Sequence, residues 1–437
     1  MKRFGFLLIL LFPVIANSQT RLLTLEEAIA TALQNNYDIL LAKTDSTSAA
    51  IDQSYRNAGF IPRLNGNIGT VWNNNDQKQV LSDGTKRQSK GLRSNNINAQ
   101  LALNWTLFDG LKMFASRDKV DEYVKLGGLN VKDQLVNTVA SVINTYYGIV
   151  RQKQQLKAIE EQMSISGERV KLAQYKLDIG VGTKPDVLQS KVDLNAQKAA
   201  RLQQQTLIAQ LKEQLNQVMN VKLNTQYDVS DSIPINANLA LGDIQSAAET
   251  NNPALLIAQK NIDIAGLILK ERKAERFPVI SFNSAYNFNR NKNQTVINNF
   301  STLYNRTNGF NYGLTATIPI LNNLNNKRQI QQAQLEIRYQ QLIYANNKSL
   351  VSLAVLNAFK DYEEQKKALA LEEENILLAK ENVDIIFQVY KLGATTYIQL
   401  REAQKSLEDA YNRLIAARYN TKLAETELLR LKGDLVK

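Results

Sequence analysis

The chain is written twice, and this duplication constrains its fold more than any other feature of the sequence. Leu25, Asn35, Asn36, Pro62, Asn67 and Trp72 reappear as Leu241, Asn251, Asn252, Pro278, Asn283 and Phe288, every pair 216 positions apart. Beyond a polar stretch the offset becomes 213. Leu101, Leu103, Leu107 and Phe108 then match Leu314, Ala316, Ile320 and Leu321, while Leu156, Met163, Val170, Gly180 and Thr183 match Leu369, Ile376, Val383, Gly393 and Thr396. A period near 215 residues is far longer than a solenoid repeat, so a whole structural module has been duplicated. The chain is accordingly divided into an export signal over 1–18, a first repeat over 19–235 and a second over 236–437.

Each half changes periodicity in the same order. Residues 24–61 and 241–276 read as helical, with Thr24 and Glu27 placed for a capping box. Pro62 and Pro278 end the helical pattern and open strand pairs over 62–76 with 94–108 and 277–291 with 308–321. The alternation is cleanest where Ile97, Ala99, Leu101, Leu103, Trp105 and Leu107 oppose Asn98, Gln100, Ala102, Asn104 and Thr106. Leu64, Ile68, Thr70 and Trp72 likewise oppose Asn65, Asn67, Gly69 and Asn73. In the second half Ile280, Phe282, Tyr286 and Phe288 oppose Ser281, Asn283, Ala285 and Asn287, and Phe310, Tyr312, Leu314, Ala316, Ile318 and Ile320 oppose Asn311, Gly313, Thr315 and Thr317. Strict alternation specifies a sheet with one apolar and one polar face.

A soluble sandwich with a cored apolar face is one reading of that pattern. The polar face argues for another, because it carries Asn, Thr, Ser and Gly in place of Lys and Glu, as suits a neutral wet lumen. Strands of about 12–14 residues reach about 40–45 Å, enough to cross a hydrocarbon core when tilted. The polar stretches Asn73–Ser94 and Asn289–Asn308 read as tips in solvent. Four strands cannot close a barrel, since the smallest membrane barrels have about eight. An open edge in lipid would leave backbone groups unsatisfied. A membrane barrel built from this sequence must therefore be shared between chains.

After Asp109-Gly110 and Asn322-Asn323, which can cap helix starts, the pattern is helical for almost seventy residues, about 100 Å of helix. Leu156, Ile159, Met163, Ser166, Val170, Ala173 and Leu177 keep 3-4 spacing. The last helix is stricter, with Leu400, Ala403, Leu407, Ala410, Leu414, Ala417, Thr421, Ala424, Leu428 and Leu431. Alternating 3-4 spacing is the signature of coiled-coil packing, and small residues allow close approach. The matching stripe of the first half carries Gln197, Arg201 and Gln204, so that helix must pack differently or against a wetter neighbour. Each long helix turns back at a short tip, over 178–187 and 391–399. Gly180 and Gly393 supply the left-handed end of the descending helix, and Thr183 with Asp186 and Thr396 with Gln399 supply capping boxes for the ascending one.

Composition narrows the function. The 437 residues include no Cys and no His, which excludes disulfides, zinc fingers, Ser-His-Asp triads and imidazole metal sites. No carboxylate pair sits in a context suggesting acid–base catalysis, so no catalytic residue, cofactor or metal is assigned and the chain reads as a non-enzyme. A net charge of +12 would ordinarily raise nucleic acid as a partner. The first residues argue against it. Met1-Lys2-Arg3, the apolar run Phe4 to Ile15 and the small residues Ala16-Asn17-Ser18 form an export signal, with cleavage before Gln19. A retained membrane anchor is the other reading of this segment, but the apolar run is short for a span. Losing Lys2 and Arg3 takes the charge from +12 to +10, and an exported basic chain does not meet chromosomal DNA.

Two repeats, each a strand pair followed by a long helical hairpin, resemble the TolC-type outer-membrane efflux proteins across essentially all of residues 20–435. The resemblance is carried by Tyr390-Lys391-Leu392-Gly393, by Gly180-Val181-Gly182-Thr183 with Asp186-Val187-Leu188, by Trp105-Thr106-Leu107-Phe108-Asp109-Gly110, and by Ile318-Pro319-Ile320-Leu321-Asn322. It implies an α+β membrane protein: a homotrimer whose twelve strands form one β-barrel in outer-membrane lipid, with helices forming a tapered periplasmic α-barrel tunnel. It further implies a periplasmic adaptor protein bound to an inner-membrane pump, with the chain acting as a passive duct for efflux or type I secretion. The tips Gly180, Val181, Gly182, Thr183 and Lys184, with Gly393, Ala394, Thr395 and Thr396, would meet the adaptor. Asp186, Gln399 and Glu402 stand at the family's periplasmic constriction, although helix capping is an alternative role for the first two and a solvated helix face for Glu402. A soluble periplasmic coiled-coil adaptor is the competing function, and it would require the apolar strand faces to be cored.

Overall fold

The computed structural model describes residues 21–236, 238–298 and 300–436. The expected export signal lies outside the described residues. In chain order the elements are β1 (Leu22–Leu23), α1 (Leu25–Asn35), α2 (Tyr37–Ser54), β2 (Arg63–Val80), β3 (Lys86–Phe108), α3 (Lys112–Asp178), α4 (Lys184–Val218), β4 (Asp228–Val229), α5 (Leu241–Asn251), α6 (Pro253–Ala274), β5 (Val279–Asn293), β6 (Tyr304–Thr317), α7 (Asn325–Lys391) and α8 (Tyr397–Lys432). The chain packs as two units. The first comprises residues up to Leu41, Lys132–Asn252 and Leu350 onward; the second comprises Ala42–Val131 and Pro253–Ser349.

The second unit holds one antiparallel sheet in the order β2-β3-β5-β6, so the hairpins of the two repeats join through β3 and β5. Directly paired residues share a face, and the register sorts the faces cleanly. Leu103 pairs with Leu64 and Ser284, which meets Tyr312; Leu101 pairs with Tyr286, which meets Phe310; Trp105 pairs with Phe282, which meets Leu314. The other face carries Asn104 and Asn283 in one row and Thr315 in the next, tied by hydrogen bonds from Asn104 Nδ2 to Asn283 Oδ1 at 2.8 Å and from Asn283 Nδ2 to Thr315 Oγ1 at 3.1 Å. The apolar face is not cored: Ile68 is 85%, Trp72 75%, Tyr312 72% and Leu314 70% exposed. That overturns the soluble sandwich. Among the described residues β2 and β6 each pair on one side only, leaving two open edges.

The strands differ from expectation at their ends. β2 and β3 pair as far as Val80 with Lys86, so most of the stretch expected as a solvent tip, Asn73–Ser94, is strand. A bulge between Asn75 and Gln77 interrupts that pairing. These residues are polar on both faces, so hydrophobic alternation stops while backbone pairing continues. At the other end β6 stops at Thr317 instead of 321, where Pro319 has no N–H to donate to a ladder.

No helix among the described residues is long and apolar enough to cross a membrane. The helical unit repeats its core in the same register as the sequence. Ala28, Ala32, Val142 and Leu215 cluster in the first half, and their counterparts Ile244, Ala248, Val355 and Leu428 cluster in the second. Leu215 and Leu428 are both fully buried. The expected continuous helices over 24–61 and 241–276 are broken at Asn36 and Asn252. Asn36 Oδ1 accepts from the backbone N–H groups of Asp38 at 2.9 Å and Ile39 at 3.3 Å, capping α2, while its Nδ2 donates to the Val218 carbonyl at 2.8 Å. Asn252 Nδ2 donates to the Leu431 carbonyl at 3.0 Å, the same bond one repeat later. The side-chain amide satisfies helix-end groups that would otherwise be orphaned. At the start of α1, Thr24 Oγ1 accepts from Glu27 N–H at 3.2 Å, but Glu27 turns its carboxylate to Arg21 at 3.4 Å, so the cap is one-sided.

Candidate functional site

Both tips are built the same way. α3 ends in a left-handed Gly180 (φ 79°), with Val181 N–H donating to the Lys176 carbonyl at 2.9 Å and Gly180 N–H to that of Leu177 at 3.0 Å. α7 ends in a left-handed Gly393 (φ 77°), with Ala394 N–H donating to the Val389 carbonyl at 3.1 Å and Gly393 N–H to that of Tyr390 at 3.1 Å. This paired closure satisfies carbonyls that the helix leaves open. Gly182 is required for a second reason, since a Cβ there would lie 2.8 Å from the Leu177 nitrogen and the Lys176 Cβ. Its counterpart Thr395 sits differently and hydrogen-bonds the Gln399 side chain.

The ascending helices start with unequal caps. Thr396 and Gln399 form the full reciprocal box, Gln399 N–H donating to Thr396 Oγ1 at 3.3 Å and Thr396 N–H to Gln399 Oε1 at 3.2 Å. At the first tip Asp186 N–H donates to Thr183 Oγ1 at 3.3 Å, and the Thr183 hydroxyl donates to Asp186 Oδ2 at 2.7 Å. The expected backbone half of that box is replaced by a side-chain bond, because Asp is one methylene shorter than the Glu or Gln that reaches the cap nitrogen. Lys184 begins α4 in solvent, and Ala394 and Glu402 are exposed. Around these positions Ile179, Val181, Leu392 and Ile398 project apolar side chains, with Val181 72% and Leu392 84% exposed.

Just inside the tips the two hairpins are fastened to one another by residues that the sequence pattern did not single out. Arg169, only 2% exposed, donates through Nη2 to Asp193 Oδ2 at 2.8 Å and through Nη1 to Gln404 Oε1 at 2.6 Å. Its guanidinium carbon lies 5.1 Å from the Tyr397 ring centre. The Tyr397 hydroxyl donates to the same Asp193 oxygen at 2.7 Å. Burial pushes the Asp193 carboxyl up, but the bonds from Tyr397 and Gln189 and the charges of Arg169 and Arg401 outweigh it and hold the group below its ordinary value. Closer to the tip Lys176 Nζ donates to the Tyr390 carbonyl at 2.8 Å and lies 4.0 Å from that ring's centre. Burial, reinforced by the Asp186 charge, pushes the Tyr390 hydroxyl up, so it stays neutral. A cleft of about 610 Å³ opens beside these links, with Glu402, Arg401 and Lys405 on its wall. Asp186 and Gln399 are engaged in capping the ascending helices.

Arg169 could have been noticed as a charged residue beside the stripe. The buried line of α3 in fact runs through Ala158, Gln162, Ser166, Arg169 and Ala173, while Leu156, Ile159, Met163, Val170 and Leu177 are only half-buried. α8 behaves as expected, with Leu400, Ala403, Leu407, Ala410 and Leu414 buried, the last four of them in one cluster with Ile376 and Val383 of α7.

The duplicated strand-and-hairpin build meets its match in known proteins. A sequence profile described as outer membrane efflux protein matches residues 28–221 and 244–434, one stretch per repeat. The chain belongs to the outer membrane efflux protein family. It is thus an outer-membrane protein. Among its relatives, the outer membrane efflux protein BepC of Brucella suis is 22% identical over 339 residues, 77% of this chain and 72% of BepC. The outer membrane protein TolC of Vibrio cholerae is 20% identical over 433 residues, 94% of this chain and 91% of TolC. Among solved structures, the outer-membrane channel OprN superposes with a TM-score of 0.78 at 16% identity, covering 94% of this chain and 90% of OprN.

Proposed function

We propose that this chain is the outer-membrane duct of a tripartite efflux or type I secretion system, passively conducting substrates from a periplasmic adaptor and its inner-membrane pump to the exterior. The observation that carries the reading is the four-stranded sheet, with its apolar face exposed and both edges unpaired among the described residues. Lipid against that face and neighbouring copies at those edges remove both liabilities at once. Three copies give twelve strands, above the number needed to close. The polar Asn, Thr and Gly face then lines a wet pore. Residues 19–235 and 236–437 act as the two repeats, each donating one β-hairpin and one helical hairpin.

The tips Gly180–Lys184 and Gly393–Thr396 dock the adaptor, supported by their open glycines and the exposed Val181, Leu392 and Ile398. Asp186, Gln399 and Glu402 line the periplasmic constriction, with the first two serving as caps as well. Flow through the duct begins when the hairpins part, so the Arg169–Asp193–Tyr397 and Lys176–Tyr390 contacts hold the resting state. Charge reversal at Lys184, or a bulky residue at Gly180 or Gly393, is expected to impair export while membrane assembly persists. An export assay with membrane fractionation checks this, and wild-type export in all three variants would remove docking from the tips.

A further inference from the structure

The exposed face of the sheet changes character abruptly toward the hairpin turns. Its apolar rows run from Ile280 to Phe288 on β5. That is about 27 Å along the strand, or roughly 20 Å of height at a tilt near 40°, close to the ~25 Å apolar band of outer-membrane barrels. The very next row on the same face pairs Ile97 with Arg290 and Arg290 with Arg306. The row after it joins Asn95 to Lys292 and Lys292 to Tyr304, beside Trp72 on β2. Arg93 follows on the same face of β3, opposite Asn74. Four cations thus occupy three consecutive rows in which that face carries no carboxylate.

Arg290 and Arg306 stand directly opposite one another, an arrangement that costs stability in a bare sheet. Neither is neutralised by an acid among the described residues. Arg290 donates to Asn95 Oδ1 at 3.4 Å and its Nε has no acceptor, and Arg306 lies 5.2 Å from the centre of the Phe288 ring. The strand ends that lead into helices carry no such rows. A facing pair of cationic side chains at the edge of an apolar band, flanked by Trp72 and Tyr304, matches phosphate charge at the depth of lipid headgroups. We infer that Arg290, Arg306, Lys292 and Arg93 form a collar that binds the phosphate groups of the lipid surrounding the hairpin end of the sheet.

This rests on the duct reading, which places the apolar face in lipid and the hairpin end outward. The test uses the full-length assembly in non-ionic detergent, titrated with bisphosphorylated lipid A, with its dephosphorylated form and with inorganic phosphate, following thermal midpoint and bound lipid by native mass spectrometry. Lipid A is expected to bind and raise the wild-type midpoint. The double variant Arg290→Gln/Arg306→Gln should lose roughly 30-fold in that affinity, whereas Arg290→Lys/Arg306→Lys stays within about threefold. Without lipid A the Gln variant should melt at or above the wild-type temperature, because the like-charge pair is gone. Equal affinity in wild type and Gln variant would overturn the collar, as would an equal rise from dephosphorylated lipid or free phosphate. Detergent extraction separates the two readings: a chain soluble without detergent sinks both, while a detergent-requiring assembly indifferent to lipid phosphate sinks the collar alone.

Discussion

The two helical hairpins descend from one ancestral module, yet they hold themselves together by different means. α7 and α8 close on Ile376, Val383, Ala403, Leu407, Ala410 and Leu414, a dry seam complete within the hairpin. α3 and α4 share an apolar cluster through Val142, Val150 and Leu215, but nearer the tip they meet over Gln152 and Gln204, with bonds of 2.8 and 3.0 Å. They bury polar atoms of Gln162, Gln197 and Arg201 that have no protein partner among the described residues. The first hairpin is instead tied to the second through Arg169, Asp193, Tyr397 and Gln404. A hairpin with an apolar seam is a permanent strut. One held by polar contacts can separate and re-form, because each group finds water or another partner when released. Duplication supplied two copies, and divergence made one rigid and one adjustable.

The largest expected contrast between them is in packing. Leu407→Ala removes a side chain that is 4% exposed and should cost about 3 kcal/mol of unfolding free energy. Its counterpart Leu194 is only half-buried, so Leu194→Ala should cost roughly 1 kcal/mol. Denaturant unfolding of the two variants measures the difference, and equal costs would show that α4 is as tightly seated as α8.

The next contrast concerns the tie between the hairpins. Arg169→Met keeps the packing of the stem but strands the Asp193 carboxylate, for an expected loss of about 2 kcal/mol. The sign with pH follows from the depressed Asp193 value. Its ionised form is favoured in the folded chain, so the tie is complete above the ordinary carboxylate range near 3.8 and fades as pH falls through the lower folded value. The stability gap between wild type and Arg169→Met should stay constant from about pH 8 to 5 and shrink below about pH 4. A gap that closed between pH 7 and 5 would assign the tie to another group.

The same difference explains what could be read from sequence. The α8 stripe was legible because its partner seam lies in the same hairpin and obeys one period. The α3 stripe misled by one position, since Arg169 is buried by hydrogen bonding and Gln162 is buried with its amide nitrogen unpartnered, and periodicity registers neither. The breaks at Asn36 and Asn252 hid for a similar reason: an Asn between two helical runs becomes a cap only when a distant carbonyl, Val218 or Leu431, accepts its amide. Within the sheet, alternation marked the rows with an apolar face and fell silent from Asn74 to Arg93, where pairing continues between two polar faces. The capping roles of Thr183, Asp186, Thr396 and Gln399 were visible because caps are local. The charge collar was not, because Arg93, Arg290 and Arg306 meet only through the register.

If the sheet of this chain is one third of a closed barrel, the intact assembly holds three chains. Native mass spectrometry of the detergent-extracted protein should give three times the mass of the processed chain. A monomer released without detergent would contradict a barrel shared between chains.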